Sequence, residues 1–268
     1  MSKLTGRIAI VSGAGRGIGR AVVQKLAAEG ASVVVNDLDP DPAEETVAAV
    51  KAAGGSAVAC VGDVTEAGFA ERFVRTAVDS FGGLDIIVNN AGYTWDTVIQ
   101  RMTDEQWDDI LDVHLKAPFR ILRAAQPYIR ASPAEHHRKV VNISSIAGLG
   151  GNAGQVNYAA AKAGLVGLTK TLAKEWGRYR VNVNAVAFGL IMTRLTEAPA
   201  SADAGIDVRG RRIKVGVSAQ LLDAMRTTVP LGRPGTPQEA AGAVYLLCLP
   251  ESDYVSGQVV VCGGGLVI

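Results

Sequence analysis

The chain predicts an α/β fold, a doubly wound parallel sheet of about seven strands with helices on both faces, formed as a single domain over residues 1–268. Three observations carry this expectation. Short runs rich in valine and isoleucine alternate with alanine-rich helical stretches along nearly the whole length. The runs are apolar throughout, as strands covered on both faces must be. No repeat, low-complexity segment or linker divides the 268 residues, and with 48% apolar residues a chain of this length can bury a full core.

The first run, RIAIVS at 7–12, passes directly into SGAGRGIGRAVVQKLA, a glycine-rich turn that opens an amphipathic helix. Gly13, Gly17 and Gly19 permit a tight turn and close approach of backbone to a ligand. With Arg16 and Ile18 between them, they place free N–H groups at the helix start, where a pyrophosphate binds well. The spacing is GxxxGxG rather than the more common GxGxxG. The second run, SVVVN at 32–36, ends at Asp37, eighteen residues after Gly19. A carboxylate there accepts hydrogen bonds from both adenosine ribose hydroxyls and repels a 2′-phosphate, which favours NAD over NADP. Arg16, in the glycine turn, is a group that could meet such a phosphate.

The third run, AVACV at 57–61, leads to Asp63 and Val64, and the fourth, LDIIVNN at 84–90, leads to Asn90, Ala91 and Gly92. Small residues there let the backbone pack against a cofactor, although both places also suit ordinary turns. The fifth run is KVVNIS at 139–144, the sixth RVNVNAV at 180–186 and the last QVVVC at 258–262. Because ligands of doubly wound sheets bind beyond the carboxyl ends of the strands, the residues that follow each run are the candidates for function. Between the fifth and sixth runs lies NYAAAK at 157–162. Helical pitch sets the phenol of Tyr158 and the amine of Lys162 on one face, with only alanines between them.

GxxxGxG near the start, NNAG after the fourth run, ISS in the fifth and YxxxK beyond it, in this order, resemble the short-chain dehydrogenases/reductases over essentially the whole chain. The resemblance implies a Rossmann-type fold and the interconversion of a ketone and a secondary alcohol with a nicotinamide dinucleotide. In that family the active serine precedes the tyrosine by thirteen residues, which selects Ser145 over Ser144. It also implies that Tyr158 is the proton donor or acceptor, that Lys162 holds the nicotinamide ribose, and that Gly189, Ile191 and Thr193 lie at the nicotinamide carboxamide. A phenol titrates near pH ~10, so Lys162 is expected to lower that value, and Ser145 to orient the substrate oxygen.

Two positions depart from the family pattern. His114 stands where many members carry an asparagine of a proton relay, and imidazole titrates near neutrality. Phe188 replaces the usual proline and is expected to reshape the pocket wall. The irregular stretch 190–217 occupies the place of the family's substrate lid. Its Arg209, Arg211, Arg212 and Lys214 are candidates to meet phosphates of coenzyme A or an acidic carrier protein. The pattern of residues 151–170 is most similar to 3-oxoacyl-(acyl-carrier-protein) reductases. NAD-linked alcohol, sugar and steroid dehydrogenases share much of it, and a dinucleotide-sensing protein without turnover is a further alternative. In relatives the last strand and the long helices form subunit contacts, so a homodimer or homotetramer is implied.

Composition narrows the classes further. With 27 basic and 26 acidic residues and no Lys/Arg block, nucleic acid is not an expected partner. The N-terminal apolar run is too short for a signal core or a membrane span, so a cytoplasmic protein is expected. Cys60, Cys248 and Cys262 are isolated in apolar stretches and read as reduced core residues. His136 and His137, in SPAEHHRK, read as a solvated loop, and no metal site is expected.

Overall fold

Seven strands pair side by side, all parallel, in the computed structural model, which describes residues 2–131, 135–194, 196, 205–214, 216 and 227–266. They are β1 (Ile8–Val11), β2 (Ser32–Val35), β3 (Ser56–Ala59), β4 (Ile86–Asn89), β5 (Arg138–Ser145), β6 (Val181–Phe188) and, last in the chain, β9 (Val259–Cys262). Each coincides with one of the apolar runs. Their order across the sheet is β3-β2-β1-β4-β5-β6-β9, so the winding reverses between β1 and β4 and leaves a crevice at their carboxyl ends.

Helices cover both faces. On one side α1 (Gly17–Ala28), α2 (Pro40–Ala52) and the last helix, α8 (Pro237–Cys248), bury Val22, Leu26, Val47 and Val244 against the sheet. On the other, α3 (Phe69–Phe81), α5 (Ala117–Ala131) and α7 (Val156–Trp176) bury Phe73, Ile121 and Ala161. Helix α4 (Asp104–Leu111) starts at a capping box of Thr103 and Gln106. It runs through a widened π-turn, Asp112–Lys116, into α5. One helical turn, α6 (Ala147–Gly150), follows β5. Among the described residues no helix is long and apolar enough to cross a membrane.

The polar residues within the sheet pair through their amide N–H groups, although Asn89 Oδ1 has no partner. Asn89 donates to Asn142 Oδ1 at 2.8 Å, and Asn142 donates to Thr169 Oγ1 on α7 at 2.9 Å, which fixes that helix to the centre of the sheet. Asn182 and Asn184 of β6 donate to the carbonyls of Asp253 and Val255 and so hold the approach to β9. Such buried amide donors specify register, since a slipped strand would leave them unpaired.

Three expectations change here. The stretch 190–217 is not wholly irregular: β7 (Gly205–Val208) and β8 (Arg211–Lys214) form an antiparallel hairpin. Residues 195, 197–204, 215 and 217 of it lie outside the described residues. His136 and His137 are half-buried at the start of β5, bonded to Asp85 at 2.6 Å and Asn182 at 3.1 Å, rather than solvated. Of the three free cysteines, Cys60 and Cys248 are buried but Cys262, on the last strand, is only partly so.

Candidate active site

Strand β5 and helix α7 set the centre of the site. The two serines at the end of β5 point to different tasks. Ser144 is buried and donates to the Lys162 carbonyl at 3.1 Å, anchoring α7 from behind. Ser145 adjoins the Tyr158 phenol and counters the rise that burial imposes on its pKa. Its Oγ also accepts from the Ala147 N–H at 3.2 Å and lies 3.5 Å from the Phe188 carbonyl, its register partner on β6. Lys162 Nζ donates to the Ile143 carbonyl at 2.6 Å and sits 5.5 Å from the centre of the Tyr158 ring. The phenol and the amine thus share one helical face, as their spacing predicted. Gly148 of α6 backs onto Lys162 so closely that a Cβ there would lie 2.6 Å from the lysine Cβ. The sequence reading did not single out that glycine.

The electrostatics differ from expectation. Burial pushes the Tyr158 phenol up to about 12, with the Ser145 hydrogen bond opposing it and the Asp96 carboxylate adding to it. Burial likewise pulls the Lys162 amine down to about 7. Within the protein alone, desolvation dominates both shifts, and the expected lowering of the phenol is not found.

His114 occupies the π-turn, 3% exposed, with its ring edge-on to Tyr158 at 5.0 Å between centres and 85° between planes. Its Nε2 lies 2.7 Å from the Tyr93 carbonyl. A carbonyl only accepts, so Nε2 carries the proton and Nδ1 presents a lone pair, which has no hydrogen-bond partner. Burial, and then the Lys162 charge, holds the imidazole well below its ordinary range. The expected titration near neutrality is therefore displaced downward, and the neutral imidazole is favoured. Gly92 exists to admit that ring: a Cβ on it would overlap Cε1 and lie 2.5 Å from Nδ1.

The strand ends assemble beside this centre. Gly13 has φ +60°, and a Cβ on it would lie 2.6 Å from Ala91 Cα. A Cβ on Gly19 would strike the Gly13 carbonyl and approach Asn90 Nδ2 at 2.6 Å. Asn90 donates to the Ser12 and Gly13 carbonyls at 3.0 and 2.8 Å, while Ser12 Oγ accepts from the N–H groups of Asn90 and Ala91. Asn90 is thus a strut that ties the two sides of the crevice. Gly17, with φ +53°, faces open space except for Thr193, whose methyl would lie 3.6 Å from a Cβ there. Arg16 and half-buried Ile18 flank Gly17 at the start of α1, and Val64 is buried beside Asp63. Asp37 accepts from the Gly15 N–H at 2.9 Å and the Asp39 N–H at 3.2 Å, which hold its carboxylate at the end of β2. Gly189 and Ile191 follow β6, Gly189 donating to the Cys262 carbonyl at 3.0 Å and Ile191 bridging to Gly235.

Two further expectations are corrected. The Phe188 ring does not line the Tyr158 pocket: it is buried in the hydrophobic cluster on the α1 side of the sheet, whereas Tyr158 packs on the α7 side. Arg209 and Arg211 are engaged by carboxylates. Arg209 bonds Asp63 and Asp109, and Arg211 bonds Glu105 and Asp109. They are not free to meet phosphates. Arg212 is exposed, and the side chain of Lys214 lies outside what is described. No cluster of His, Cys, Asp and Glu able to hold a metal occurs among the described residues.

A crevice at the winding reversal, floored by glycines and rimmed by Asp37 at one end and Ser145, Tyr158 and Lys162 at the other, fits a nicotinamide dinucleotide. A family model described as enoyl-(acyl carrier protein) reductase, one of the short-chain dehydrogenases/reductases, matches residues 13–267, and the chain belongs to that family. It is an oxidoreductase acting on CH–OH groups with a nicotinamide dinucleotide. Among its relatives, the 3-oxoacyl-[acyl-carrier-protein] reductase FabG of Thermotoga maritima is 36% identical over 99% of this chain and 100% of its own length. The 3-oxoacyl-[acyl-carrier-protein] reductase of Synechocystis is 37% identical over 100% of both chains. A short-chain reductase protein, NovJ, of Streptomyces niveus is 39% identical over 96% of this chain and 93% of its own.

Proposed function

We propose that this protein reduces the keto group of a 3-oxoacyl thioester to the corresponding alcohol with NADH, in the cytoplasm. The observation that carries it is the convergence of Ser145, Tyr158 and Lys162, and the activities for which the two 3-oxoacyl reductases are named support the substrate class. Gly13, Arg16, Gly17, Ile18 and Gly19 would hold the pyrophosphate, Asp37 the adenosine ribose and Asp63, Val64, Asn90, Ala91 and Gly92 the adjoining wall. Gly189, Ile191 and Thr193 would meet the nicotinamide. The bound cofactor supplies hydride. Tyr158, protonated up to about 12, donates a proton to the carbonyl oxygen, which Ser145 orients. Lys162 favours the phenolate so formed. His114, neutral and edge-on to the tyrosine, holds that ring in place. The Gly205–Lys214 hairpin, read as part of a substrate lid, would leave Arg209 and Arg211 on the carboxylates that bind them.

What supports NADH is that the Asp37 carboxylate is held at the end of β2, where it would accept from the ribose hydroxyls and repel a 2′-phosphate, and that Arg16 is paired with Asp39 at 2.8 Å. With acetoacetyl-CoA, absorbance of the reduced cofactor should show a kcat/KM for NADH about tenfold or more above that for NADPH. Asp37→Ser should narrow the ratio. Comparable use of NADPH by the unmodified protein would remove the assignment, and turnover of neutral alcohols, sugars or steroids alone would favour that second substrate class.

Exposed apolar residues support a homotetramer: Phe119 and Tyr128 on α5, Leu246 on α8, and Val260 and Val261 on β9. Sedimentation equilibrium should give four times the chain mass of 27.9 kDa. Twice that mass would indicate a dimer using one face, and the mass of a single chain would contradict assembly.

A further inference from the structure

The lid hairpin does more than follow β6. Its tip, Arg209-Gly210, is a two-residue turn with φ +54° and +75°, the left-handed pair that closes a tight hairpin. Below the turn Ile206, Val208 and Ile213 are buried with Val64, Tyr93, Ile110 and Val113. The tip itself is ionic. Arg209 Nε lies 2.5 Å from Asp63 Oδ2, Nη2 lies 3.3 Å from Asp63 Oδ1 and touches Thr65 Oγ1, and Nη1 lies 3.2 Å from Asp109 Oδ1.

The position of that contact in the sheet gives it consequence. Asp63 follows β3, whereas the hairpin belongs to the segment after β6, and β2, β1, β4 and β5 stand between those strands. Five strand spacings amount to about 24 Å. The hairpin tip therefore lies at the carboxyl edge of the sheet on the β3 side, on the rim of the crevice, far across the sheet from β6. The Asp63 side chain is only 12% exposed and that of Asp109 18%, so the grip is better shielded from solvent than a surface ion pair.

We propose that Arg209 is a positioning residue that latches the hairpin tip onto Asp63 and Asp109 at the rim of the crevice, and so sets the rate at which the dinucleotide leaves. This rests on the proposed reading of the crevice as the cofactor site. Asp63 is held from both sides, by Arg209 from the hairpin and by the Thr65 N–H and hydroxyl from its own loop at 2.8 and 2.7 Å. Releasing the guanidinium frees both Asp63 at the rim and the hairpin tip that grips it. Arg211 gives a comparison within the same hairpin, since it bonds only the α4 carboxylates Glu105 and Asp109.

The test is stopped-flow displacement of NADH by excess NAD, followed by fluorescence, alongside amide hydrogen exchange of residues 205–214 without cofactor. Arg209→Ala should speed NADH release about tenfold, the loss of one charged hydrogen-bonded contact. Arg209→Lys should recover part of the effect, and Arg211→Ala should change release less than threefold. Hairpin exchange should quicken in Arg209→Ala. Release within twofold of the unmodified protein, or an equal effect of Arg211→Ala, would overturn the latch. If the unmodified protein bound neither NADH nor NADPH, the cofactor reading would fall instead, and unchanged hairpin exchange in Arg209→Ala would separately refute the Asp63 grip.

Discussion

Tyr158→Phe is expected to lower kcat for reduction by about 10²–10⁴-fold, the usual contribution of a positioned general acid, while the Kd for NADH stays within about twofold. The substitution removes one hydroxyl and nothing else. The ring, its edge-on contact with His114 and its place between α7 and the end of β5 are kept. Loss of NADH binding equal to the loss of rate would mean that the phenol supports the fold or the cofactor rather than proton transfer. The same variant isolates the pH dependence. Burial holds the phenol at about 12, so the proton donor is loaded throughout the working range. Lys162, pulled down to about 7 by burial, loses its charge as pH rises through that value. The phenolate left after proton donation then lacks its positive neighbour, so reduction by the unmodified protein should fall above pH ~7. The residual rate of Tyr158→Phe, which forms no phenolate, should be flat there. A falling profile in both proteins would assign the pH dependence to another group.

The inversion of these two pKa values shows what the sequence does and does not carry. The spacing of Tyr158 and Lys162 is local, and helical pitch alone places them on one face. Their titration depends on how much water reaches them, which the packing of β5, α6 and the π-turn decides. The seven sheet strands were legible because each is an uninterrupted β-branched run ending in turn residues. The direction of the Phe188 ring was also legible in principle. Residues of a strand alternate faces, so Phe188 shares the face of Val186, which belongs to the α1-side cluster. The hairpin offered a signal too, in Ile206, Val208 and Ile213 alternating about an Arg-Gly turn. The pairing of Arg209 with Asp63 had none. The two residues lie 146 positions apart, and only the strand order brings them together.

Gly92 and His114 form a second pair of this long-range kind, and Gly92→Ala tests it. The added methyl overlaps the imidazole, which is 3% exposed and tied to the Tyr93 carbonyl, so the ring can move only by breaking that bond and displacing Tyr158. Overpacking of this kind costs about 1–3 kcal/mol, and for a chain of this size that corresponds to a fall in Tm of about 2–10 °C. Activity should fall by at least about tenfold, because the tyrosine ring shifts with its neighbour. His114→Asn, which clears the overlapping ring atoms, should by itself keep most of the activity if the histidine serves to pack against Tyr158. Combined with Gly92→Ala, it should restore part of both the melting temperature and the rate, giving a coupling of about 0.5–3 kcal/mol in a double-mutant cycle. Complete loss of turnover in His114→Asn, with Tm and NADH binding retained, would instead assign the imidazole an indispensable part in proton movement. Additive losses in the double variant would show that the damage from Gly92→Ala comes through the backbone of the NNAG turn and not through the ring.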